Sequence, residues 1–303
     1  MGALDGKVVV VTGAGQGIGR EEALACARAG AAVVADDLAG ADDTAAAIAA
    51  EGGRALALDL DVADFEAAGR LVAAAVEHFG GLDGVVNNAG VVRDRMVFNM
   101  GPDEFDLVLR VNLGGTFCMT RHAAAWWKRE GRPGAIVNTT STSGILGNLG
   151  QSNYGAAKAG VAAFTVITAL ELARYGVRVN AIAPGARTQM TEGAFGDLSF
   201  PGEFDPLDPA NVAPVVVWLL SEAAAEVAGQ VLGITGGLLE LYEGWHVVAS
   251  RQRSGRWTPE GLAEAAAGLF GDRPTRAPWR QSSVRRVIEA ARAGGDAPAP
   301  PAG

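Results

Sequence analysis

Residues 7–19 read KVVVVTGAGQGIG, an apolar run that leads into a turn with four glycines. Glycine has no side chain, so the backbone of such a turn can approach a phosphate group closely. A helical pattern begins at Ile18, and a helix N-terminus offers free N–H groups and the positive end of its dipole to an anion. A glycine-rich turn alone can be purely structural, but the strand–turn–helix context predicts a phosphate-binding turn. Its expected ligand-contacting residues are Gly13, Gln16, Gly17, Ile18 and Gly19.

Short apolar runs alternate with Ala-rich helical patterns on both sides of this turn. Several runs are apolar throughout, as in a parallel sheet that is covered on both faces. The alternation predicts βαβ units and therefore an α/β fold, a single Rossmann-type doubly wound parallel sheet with helices on both faces. The predicted strands are 7–12, 32–36, 55–58, 84–87, 135–139, 178–182 and 230–235. The predicted helices are 18–29, 42–50, 64–78, 102–128, 152–175 and 212–220.

The domain organisation changes towards the C-terminus. We expect a catalytic domain over residues 1–238, with a Gly-, Pro- and Phe-rich substrate loop at 186–210. A C-terminal extension at 239–290, with a short helix near 259–269, is predicted to pack on this domain or on a partner subunit. Residues 291–303 are rich in Ala, Pro and Gly and predict a flexible tail. Four loop residues could line an apolar pocket or serve as packing contacts: Phe195, Leu198, Phe200 and Phe204.

Composition excludes several classes of protein. The chain of 303 residues has a net charge of −9, so a nucleic-acid-binding surface is not expected. It contains no uninterrupted apolar run of about 18 residues, and its start lacks the basic and apolar regions of a signal peptide, so we expect no membrane span and a cytoplasmic protein. The three His and two Cys lack metal-ligand spacing, so no metal is expected. Cys26 and Cys118 fall in apolar helical patterns and are interpreted as buried thiols, with a disulfide as the alternative.

Acidic residues follow the second and third predicted strands. Asp36 and Asp37 end the second strand, where a carboxylate can accept both ribose hydroxyls of NAD and repels the 2′-phosphate of NADP. No Arg or Lys follows closely to bind that phosphate, so the sequence favours NAD. Only one of the two carboxylates is expected to hold the ribose, and the alternative interpretation is that one of them merely caps the turn. After the third strand, Asp61, beside Val62, could accept from the adenine amino group or be an ordinary loop acid.

Five further motifs follow in register with the predicted strands. They are Asn88-Ala89-Gly90 after the fourth strand, Asn112 in the next helix, Ser141 after the fifth strand, Tyr154 and Lys158 in the helix after it, and Pro184-Gly185 after the sixth strand. In this order they resemble the short-chain dehydrogenase/reductase (SDR) family over residues 5–238. We prefer Ser141 to Thr142 because Ser141 precedes Tyr154 by the family's spacing.

A finer resemblance concerns two stretches. Residues 144–154, GILGNLGQSNY, are similar to the same stretch of the (3R)-hydroxyacyl-CoA dehydrogenase unit of multifunctional β-oxidation enzymes. Residues 33–38, VVADDL, match that branch with Asp37 in the ribose-binding place. The resemblance implies a small apolar carbonyl or alcohol substrate, acyl-CoA-like or steroid-like. It also implies a homodimer or homotetramer.

Tyr154 and Lys158 are four residues apart and share a helix face. An ammonium there would lower the pKa of the Tyr154 hydroxyl from about 10, so that it can act as a general acid or base, with Ser141 stabilising charge on the same oxygen. The resemblance implies that Lys158 also holds the nicotinamide ribose, that Asn112 orders a relay water, and that Thr188 bonds the nicotinamide amide. Asn112 could instead be only a mid-helix polar residue, and Tyr154 a surface tyrosine.

The predicted function is an NAD(H)-dependent oxidoreductase that interconverts a secondary alcohol and a ketone. The substrate would be a 3-hydroxyacyl/3-oxoacyl thioester or a steroid- or polyketide-like hydroxyl. Two alternatives use the same scaffold: a non-redox acid/base enzyme, such as an isomerase or cyclase, and a dinucleotide-sensing protein.

Overall fold

A single eight-stranded sheet organises the computed structural model, which describes residues 2–188, 200, 204–271 and 283–293. The strand order is β3-β2-β1-β4-β5-β6-β7-β8, with seven parallel strands and β8 antiparallel to β7. The α/β fold with a doubly wound sheet is therefore confirmed, with an antiparallel edge strand added. The strands are β1 (Val8–Thr12), β2 (Ala32–Asp36), β3 (Arg54–Leu58), β4 (Gly84–Asn87), β5 (Gly134–Thr139), β6 (Val177–Gly185), β7 (Val231–Thr235) and β8 (Leu238–Tyr242).

Strand β1 explains why the sheet is covered on both faces. Its side chains alternate, so Val9 and Val11 belong to one apolar core and Val8 and Val10 to the other. All four are at most 4% exposed. Burial of a valine side chain stabilises the fold by about 1.5–3 kcal/mol. A continuous apolar run is therefore the pattern that two covered faces require.

Helices form a layer on each face. The core around Val9 and Val11 receives α1 (Gly17–Arg28), α2 (Ala41–Ala50) and α8 (Ala213–Leu220). The opposite core receives α3 (Phe65–Phe79), α5 (Gly115–Glu130) and α7 (Ser152–Leu172). Helix α3 begins where predicted because the Asp64 side chain accepts a hydrogen bond from the Ala67 N–H, which caps its first turn. The remaining helices are α4 (Pro102–Leu109), α6 (Thr142–Ile145), α9 (Pro259–Phe270) and α10 (Ser283–Arg292).

The helix predicted over 102–128 is interrupted, which corrects the sequence expectation. Residues Arg110–Gly114 form a π-helical turn between α4 and α5. Such turns contain one more residue than an α-helical turn and often occur at functional sites. The short helix α6, the strand β8 and the helix α10 were also absent from the prediction.

One helical segment, Ser152–Tyr175, is long and apolar enough to cross a membrane by length and composition alone. It contains no uninterrupted apolar run of about 18 residues, because Lys158, Thr165 and Glu171 interrupt its apolar pattern. One third of its most apolar window is buried inside the chain, and the core helix of a soluble protein passes the same test. This finding is therefore weak support for a membrane span.

The C-terminal part of the chain divides between two units. The sheet continues through Tyr242, so the boundary expected at residue 238 falls at the start of β8. Helix α10 belongs to the same unit as the sheet. Residues Glu243–Arg280, described as far as Gly271, form a second unit that contains α9, whose first turn is capped by Thr258. Most of the expected tail, residues 294–303, lies outside the described residues.

Candidate active site

The candidate site lies at the carboxyl ends of the central strands, where open α/β sheets bind ligands. The glycine-rich turn follows β1, Asn88 follows β4, Ser141 follows β5, and Pro184-Gly185 ends β6. The order of these strands in the sheet brings the sequence motifs to one edge.

The glycine-rich turn has the geometry of a phosphate cradle. Gly13 and Gly17 have φ values of +67° and +54°, which disfavour any residue with a side chain. A Cβ at Gly15 would lie within 1.9 Å of the Ala39 carbonyl oxygen, and one at Gly19 within 2.1 Å of the Gly13 oxygen. Helix α1 begins directly behind, and its N-cap Gln16 makes no side-chain capping bond. Free backbone N–H groups therefore face the turn, as a pyrophosphate requires.

Asn88 fastens this turn to β4. Its Nδ2 donates to the carbonyl oxygens of Thr12 and Gly13, at 3.2 and 3.1 Å. The Thr12 hydroxyl oxygen in return accepts from the N–H groups of Asn88 and Ala89, at 3.1 and 3.2 Å. These four hydrogen bonds hold the start of the glycine-rich turn against the end of β4.

The two acids at the end of β2 have different environments. Asp36 is 1% exposed and accepts from the Leu60 N–H at 3.0 Å, which ties β2 to the chain after β3. Burial raises the pKa of Asp36 to about 7, against the lowering effect of that hydrogen bond. Asp37 is half-buried and accepts from the N–H groups of Gly15 and Ala39. Asp37 therefore lies against the glycine-rich turn, and Asp36 is a structural acid.

Asp61 and Val62 lie at the end of β3. The Asp61 carboxylate accepts from the Ala63 N–H at 2.9 Å and pairs with Arg110 at 3.1 Å. Val62 is buried against Gly115, where a Cβ would come within 2.9 Å of its Cγ2. These contacts fit an ordinary loop acid and leave the adenine role of Asp61 as a proposal.

Asn112 occupies the π-helical turn and is fully buried. Its Nδ2 donates to the carbonyl oxygens of Val91 and Val108, at 2.8 and 2.9 Å. Its Oδ1 has no hydrogen-bond partner among the residues that the structure describes. A Cβ at Gly90 would lie 2.5 Å from this Oδ1 and 3.6 Å from Lys158 Nζ. The absence of a side chain at Gly90 thus leaves a polar space between the two groups, of the kind that holds an ordered water.

Ser141, Tyr154 and Lys158 converge beside this space. Lys158 is 2% exposed; its Nζ donates to the Thr139 carbonyl oxygen at 2.7 Å and lies 5.7 Å from the centre of the Tyr154 ring. Tyr154 is half-buried, and the Ser141 hydroxyl is close enough to lower the pKa of its phenol. Tyr154 is therefore not a surface tyrosine, and the three side chains form one cluster.

The pKa of Tyr154 contradicts the expected effect of the lysine. Burial raises this pKa to about 12; the nearby Ser141 hydroxyl lowers it, and the negative charge of Asp94 raises it further. Burial also lowers the pKa of Lys158 to about 8. The expectation that the pKa of Tyr154 is lowered is thus wrong for this structure, because burial disfavours the charged tyrosinate and raises the pKa.

A polar network that the sequence analysis missed supports this cluster. Gln151 Nε2 donates to Asp94 at 2.8 Å, and Gln151 Oε1 accepts from the Ser143 hydroxyl at 2.7 Å. The Ser143 N–H in turn donates to the Ser141 Oγ at 3.1 Å. The only signal in the sequence is a polar residue three positions before Tyr154, which does not reveal a partner 57 residues away.

The segment after β6 runs back towards the glycine-rich turn. Thr188 Cγ2 lies 3.3 Å from the position of a Cβ at Gly17, so Thr188 faces the cradle. Of the expected pocket residues, Phe195 and Leu198 lie outside the described residues. Phe200 is half-buried and Phe204 is 58% exposed. Their role as a pocket lining remains a proposal.

Comparisons with known proteins agree with this geometry. The family model for the short chain dehydrogenase matches residues 7–197. The chain is 43% identical to hydroxyacyl-CoA dehydrogenase ChsB1 of Mycobacterium tuberculosis, over 93% of this chain and 94% of that protein. It is 42% identical to the peroxisomal hydratase-dehydrogenase-epimerase of Neurospora crassa, over 82% of this chain but 26% of that longer protein.

A solved structure is also similar. The crystal structure of a short chain dehydrogenase from Mycobacterium avium is 45% identical, with a TM-score of 0.84 over 93% of this chain and 100% of that chain. The resemblance to the hydroxyacyl-CoA dehydrogenase branch is confirmed by these relatives. The chain belongs to the short-chain dehydrogenase/reductase family.

Proposed function

We propose that this protein is an NAD(H)-dependent oxidoreductase that interconverts a secondary alcohol and a ketone. The observation that carries the proposal is the cluster of Asn112, Ser141, Tyr154 and Lys158 beside the glycine cradle. A sensor without catalysis would need the cradle but not a half-buried tyrosine and a buried lysine together. The nicotinamide would supply or accept the hydride at the substrate carbon.

The side chains of the cluster would transfer a proton to or from the substrate oxygen. In ketone reduction the Tyr154 hydroxyl, whose pKa of about 12 keeps it protonated, donates a proton to the carbonyl oxygen. The Ser141 hydroxyl donates a hydrogen bond to the same oxygen and stabilises the charge that develops there. Lys158 and the space at Asn112 Oδ1 form a route by which Tyr154 recovers its proton through an ordered water.

The preference for NAD rests on Asp37. Its carboxylate lies against the glycine-rich turn, where it would accept from the ribose hydroxyls and repel a 2′-phosphate. Competing titrations of NADH and NADPH test this preference, and we expect NADH to bind more tightly by tenfold or more, on the order of 1.4 kcal/mol. Equal affinities would refute the role of Asp37.

The other proposed cofactor contacts fall into groups that bind different parts of the dinucleotide. Gly13, Gln16, Gly17, Ile18 and Gly19 would bind the pyrophosphate, and Asp61 and Val62 would border the adenine. At the nicotinamide end the proposed contacts are Asn88, Ala89, Gly90, Tyr154, Lys158, Pro184, Gly185 and Thr188.

The proposed substrate is a 3-hydroxyacyl or 3-oxoacyl thioester, with a steroid- or polyketide-like hydroxyl as the second candidate. The name of the Mycobacterium tuberculosis relative supports the thioester. Met96, Val97 and Phe98, which precede α4, are 43–77% exposed and could receive an apolar chain.

The deciding experiment follows NADH absorbance with a series of 3-oxoacyl-CoA thioesters and then with ketosteroids and cyclic ketones. The Tyr154→Phe variant serves as the blank; we expect its turnover to fall by about 10²–10⁴-fold while its NADH affinity stays within about twofold. Turnover that survives in Tyr154→Phe would refute the assignment. Product formed without a change in NADH would favour the isomerase or cyclase, and NADH binding without any product would favour the sensor.

We also propose that the protein self-associates as a homodimer or homotetramer. Helices α5 and α7 present an exposed apolar face, which we call the α5/α7 face. Its members are Phe117 at 47%, Val166 at 42%, Ile167 at 53% and Leu170 at 77% exposure. A second copy of this chain would cover it. Cys26 and Cys118 are both free and buried, which suits a reducing, cytoplasmic compartment.

A further inference from the structure

Helix α10 returns from the end of the chain to the sheet. Val284 and Val287 lie one turn apart on its inner face and are 8% and 7% exposed. Arg286 pairs with Glu240 of β8 at 3.0 Å, and the two side chains are only 20% and 15% exposed. Apolar and ionic contacts together therefore hold α10 against the β7–β8 edge of the sheet.

Val284 contacts the end of β6 at Gly185. A Cβ at Gly185 would lie 2.5 Å from Val284 Cγ2 and 2.2 Å from the hydroxyl oxygen of Thr235, its register partner on β7. Real side chains do not approach so closely. Gly185 does not have a positive φ, so packing rather than backbone conformation requires glycine here. Val284 occupies the space that a side chain at position 185 would fill.

Gly185 is also one end of a short segment that reaches the glycine-rich turn. Ala186 is buried, the Arg187 N–H donates to the Leu207 carbonyl oxygen at 2.7 Å, and Thr188 then faces Gly17. The segment 184–188 is thus held by α10 at one end and lies against the proposed phosphate cradle at the other.

We propose that Val284 is a positioning residue for dinucleotide binding. By filling the space at Gly185, it fixes the segment 184–188 against the glycine-rich turn, so α10 is part of the binding unit although it lies about 100 residues later in the chain. The inference rests on the proposed function, since it requires a nicotinamide dinucleotide in the cradle. Removal of the two γ-methyl groups would leave a cavity into which Gly185 and its neighbours can relax.

The test compares Val284→Ala with Val287→Ala as its matched control. Both changes truncate a buried valine of α10, but the atoms nearest to a Cβ at Gly185 come from Val284 and Thr235. We expect both variants to lower the thermal unfolding midpoint, and only Val284→Ala to raise the Kd for NADH, by about five- to tenfold. At saturating NADH, kcat of Val284→Ala should stay within about twofold of the unmodified protein, because the contacts that hold α10 are with Gly185 of β6 and Glu240 of β8 and not with the catalytic cluster that the proposal invokes.

A milder variant distinguishes an effect of the position of α10 on NADH binding from general unfolding of the protein. Glu240→Gln keeps the Val284 side chain but weakens the ion pair that holds α10 against β8. Val284 then packs less firmly on Gly185, and we expect the Kd for NADH to rise by about twofold. An unchanged Kd in both Val284→Ala and Glu240→Gln overturns the proposal, as does an equal rise in Val284→Ala and Val287→Ala. If the unmodified protein binds neither NADH nor NADPH in the same fluorescence titration, the proposed function fails and the inference fails with it.

Discussion

At the scale of single residues, the charge of Asp94 acts on the hydroxyl of Tyr154. Asp94 is an exposed acid that accepts a hydrogen bond from Gln151, yet its negative charge contributes to the raised pKa of Tyr154. A negative charge disfavours the tyrosinate, which is the form that takes a proton from an alcohol. Under the proposed mechanism, Asp94 would therefore disfavour alcohol oxidation and favour the protonated tyrosine that ketone reduction uses.

The first prediction concerns Asp94→Asn. Loss of the negative charge lowers the pKa of Tyr154, so the proton-accepting form is available at lower pH. The acid limb of kcat/KM for alcohol oxidation should shift to lower pH, by up to about one unit. The control is Asp103→Asn, which removes an exposed acid from the first turn of α4 and should leave the limb in place. A shift to higher pH, or an equal shift in the control, contradicts the role of Asp94.

At the scale of elements, α6 packs on α7 without an intervening side chain. A Cβ at Gly144 would lie 2.4 Å from the Ala159 nitrogen and 2.6 Å from the Lys158 carbonyl carbon, and backbone atoms of α7 cannot move aside. Ser141 is the N-cap residue of α6. The close contact of the two helices therefore fixes the distance between Ser141 and the residues on α7.

We accordingly expect Gly144→Ala to displace α6 and Ser141 from Tyr154. Turnover should fall by roughly tenfold or more, since small displacements of catalytic groups are costly. Gly237→Ala is the control, because no heavy atom of the described residues lies within 4 Å of a Cβ there. Steady-state kinetics and thermal unfolding of both variants make the comparison. Unchanged kcat in Gly144→Ala would show that Ser141 does not depend on this contact.

Helix α1 contains a buried acid, Glu22, that the site does not use. It is fully buried, and neither carboxylate oxygen has a hydrogen-bond partner within the described part of the chain. Burial raises the pKa of Glu22 to about 8. The folded protein therefore holds a proton that the unfolded chain releases above about pH 4.5, so stability falls as pH rises from about 4.5 to about 8.

Glu22→Gln removes this titration and should raise the thermal unfolding midpoint. The gain should be larger at pH 8 than at pH 5, because the cost of keeping Glu22 protonated grows by about 1.4 kcal/mol per pH unit across this window. Glu21→Gln, which alters the neighbouring acid paired with Arg20, provides the control and should show no such pH dependence. Equal gains at both pH values would contradict a protonated Glu22.

The elements also show what the sequence could and could not predict. Strands such as β1 were predictable because two covered faces demand a continuous apolar run, and the i, i+4 spacing of Tyr154 and Lys158 placed both on one helix face. The π-helical turn was not predictable from local sequence: its Asn112 bonds the Val91 carbonyl oxygen, 21 residues away, and this contact exists only in the folded chain. The raised pKa of Tyr154 was not predictable either, because the burial of Tyr154 and its proximity to Asp94 arise only in the folded chain.

At the scale of the whole molecule, the α5/α7 face explains why α7 resembles a membrane span. Its exposed apolar residues lie opposite the buried Lys158 and Val161, so the helix is apolar on nearly all sides. A helix of this kind is buried on more than one face. The proposed coverage by a second copy of the chain would bury the apolar residues that the single chain leaves exposed.

Leu170→Glu should therefore reduce the mass of the assembly. A charge at the most exposed position of the α5/α7 face would have to be desolvated in the interface, which costs several kcal/mol. Light scattering after size-exclusion chromatography measures the mass. Leu149→Glu places the same charge on an exposed leucine outside the α5/α7 face and should keep the parental mass. An unaltered mass for Leu170→Glu would rule out this face as the contact.

The position of α10 also bears on how the protein matures during synthesis. After β4, each parallel strand pairs with a strand that the ribosome has already released, so the sheet can grow outward as the chain emerges. Gly185 is different, because Val284 follows it by 99 residues (284 − 185). The ribosome adds about 10 residues per second, so Val284 is synthesised on the order of ten seconds after Gly185 at the end of β6. A nascent chain therefore contains every member of the catalytic cluster well before the helix that packs against Gly185 has been made.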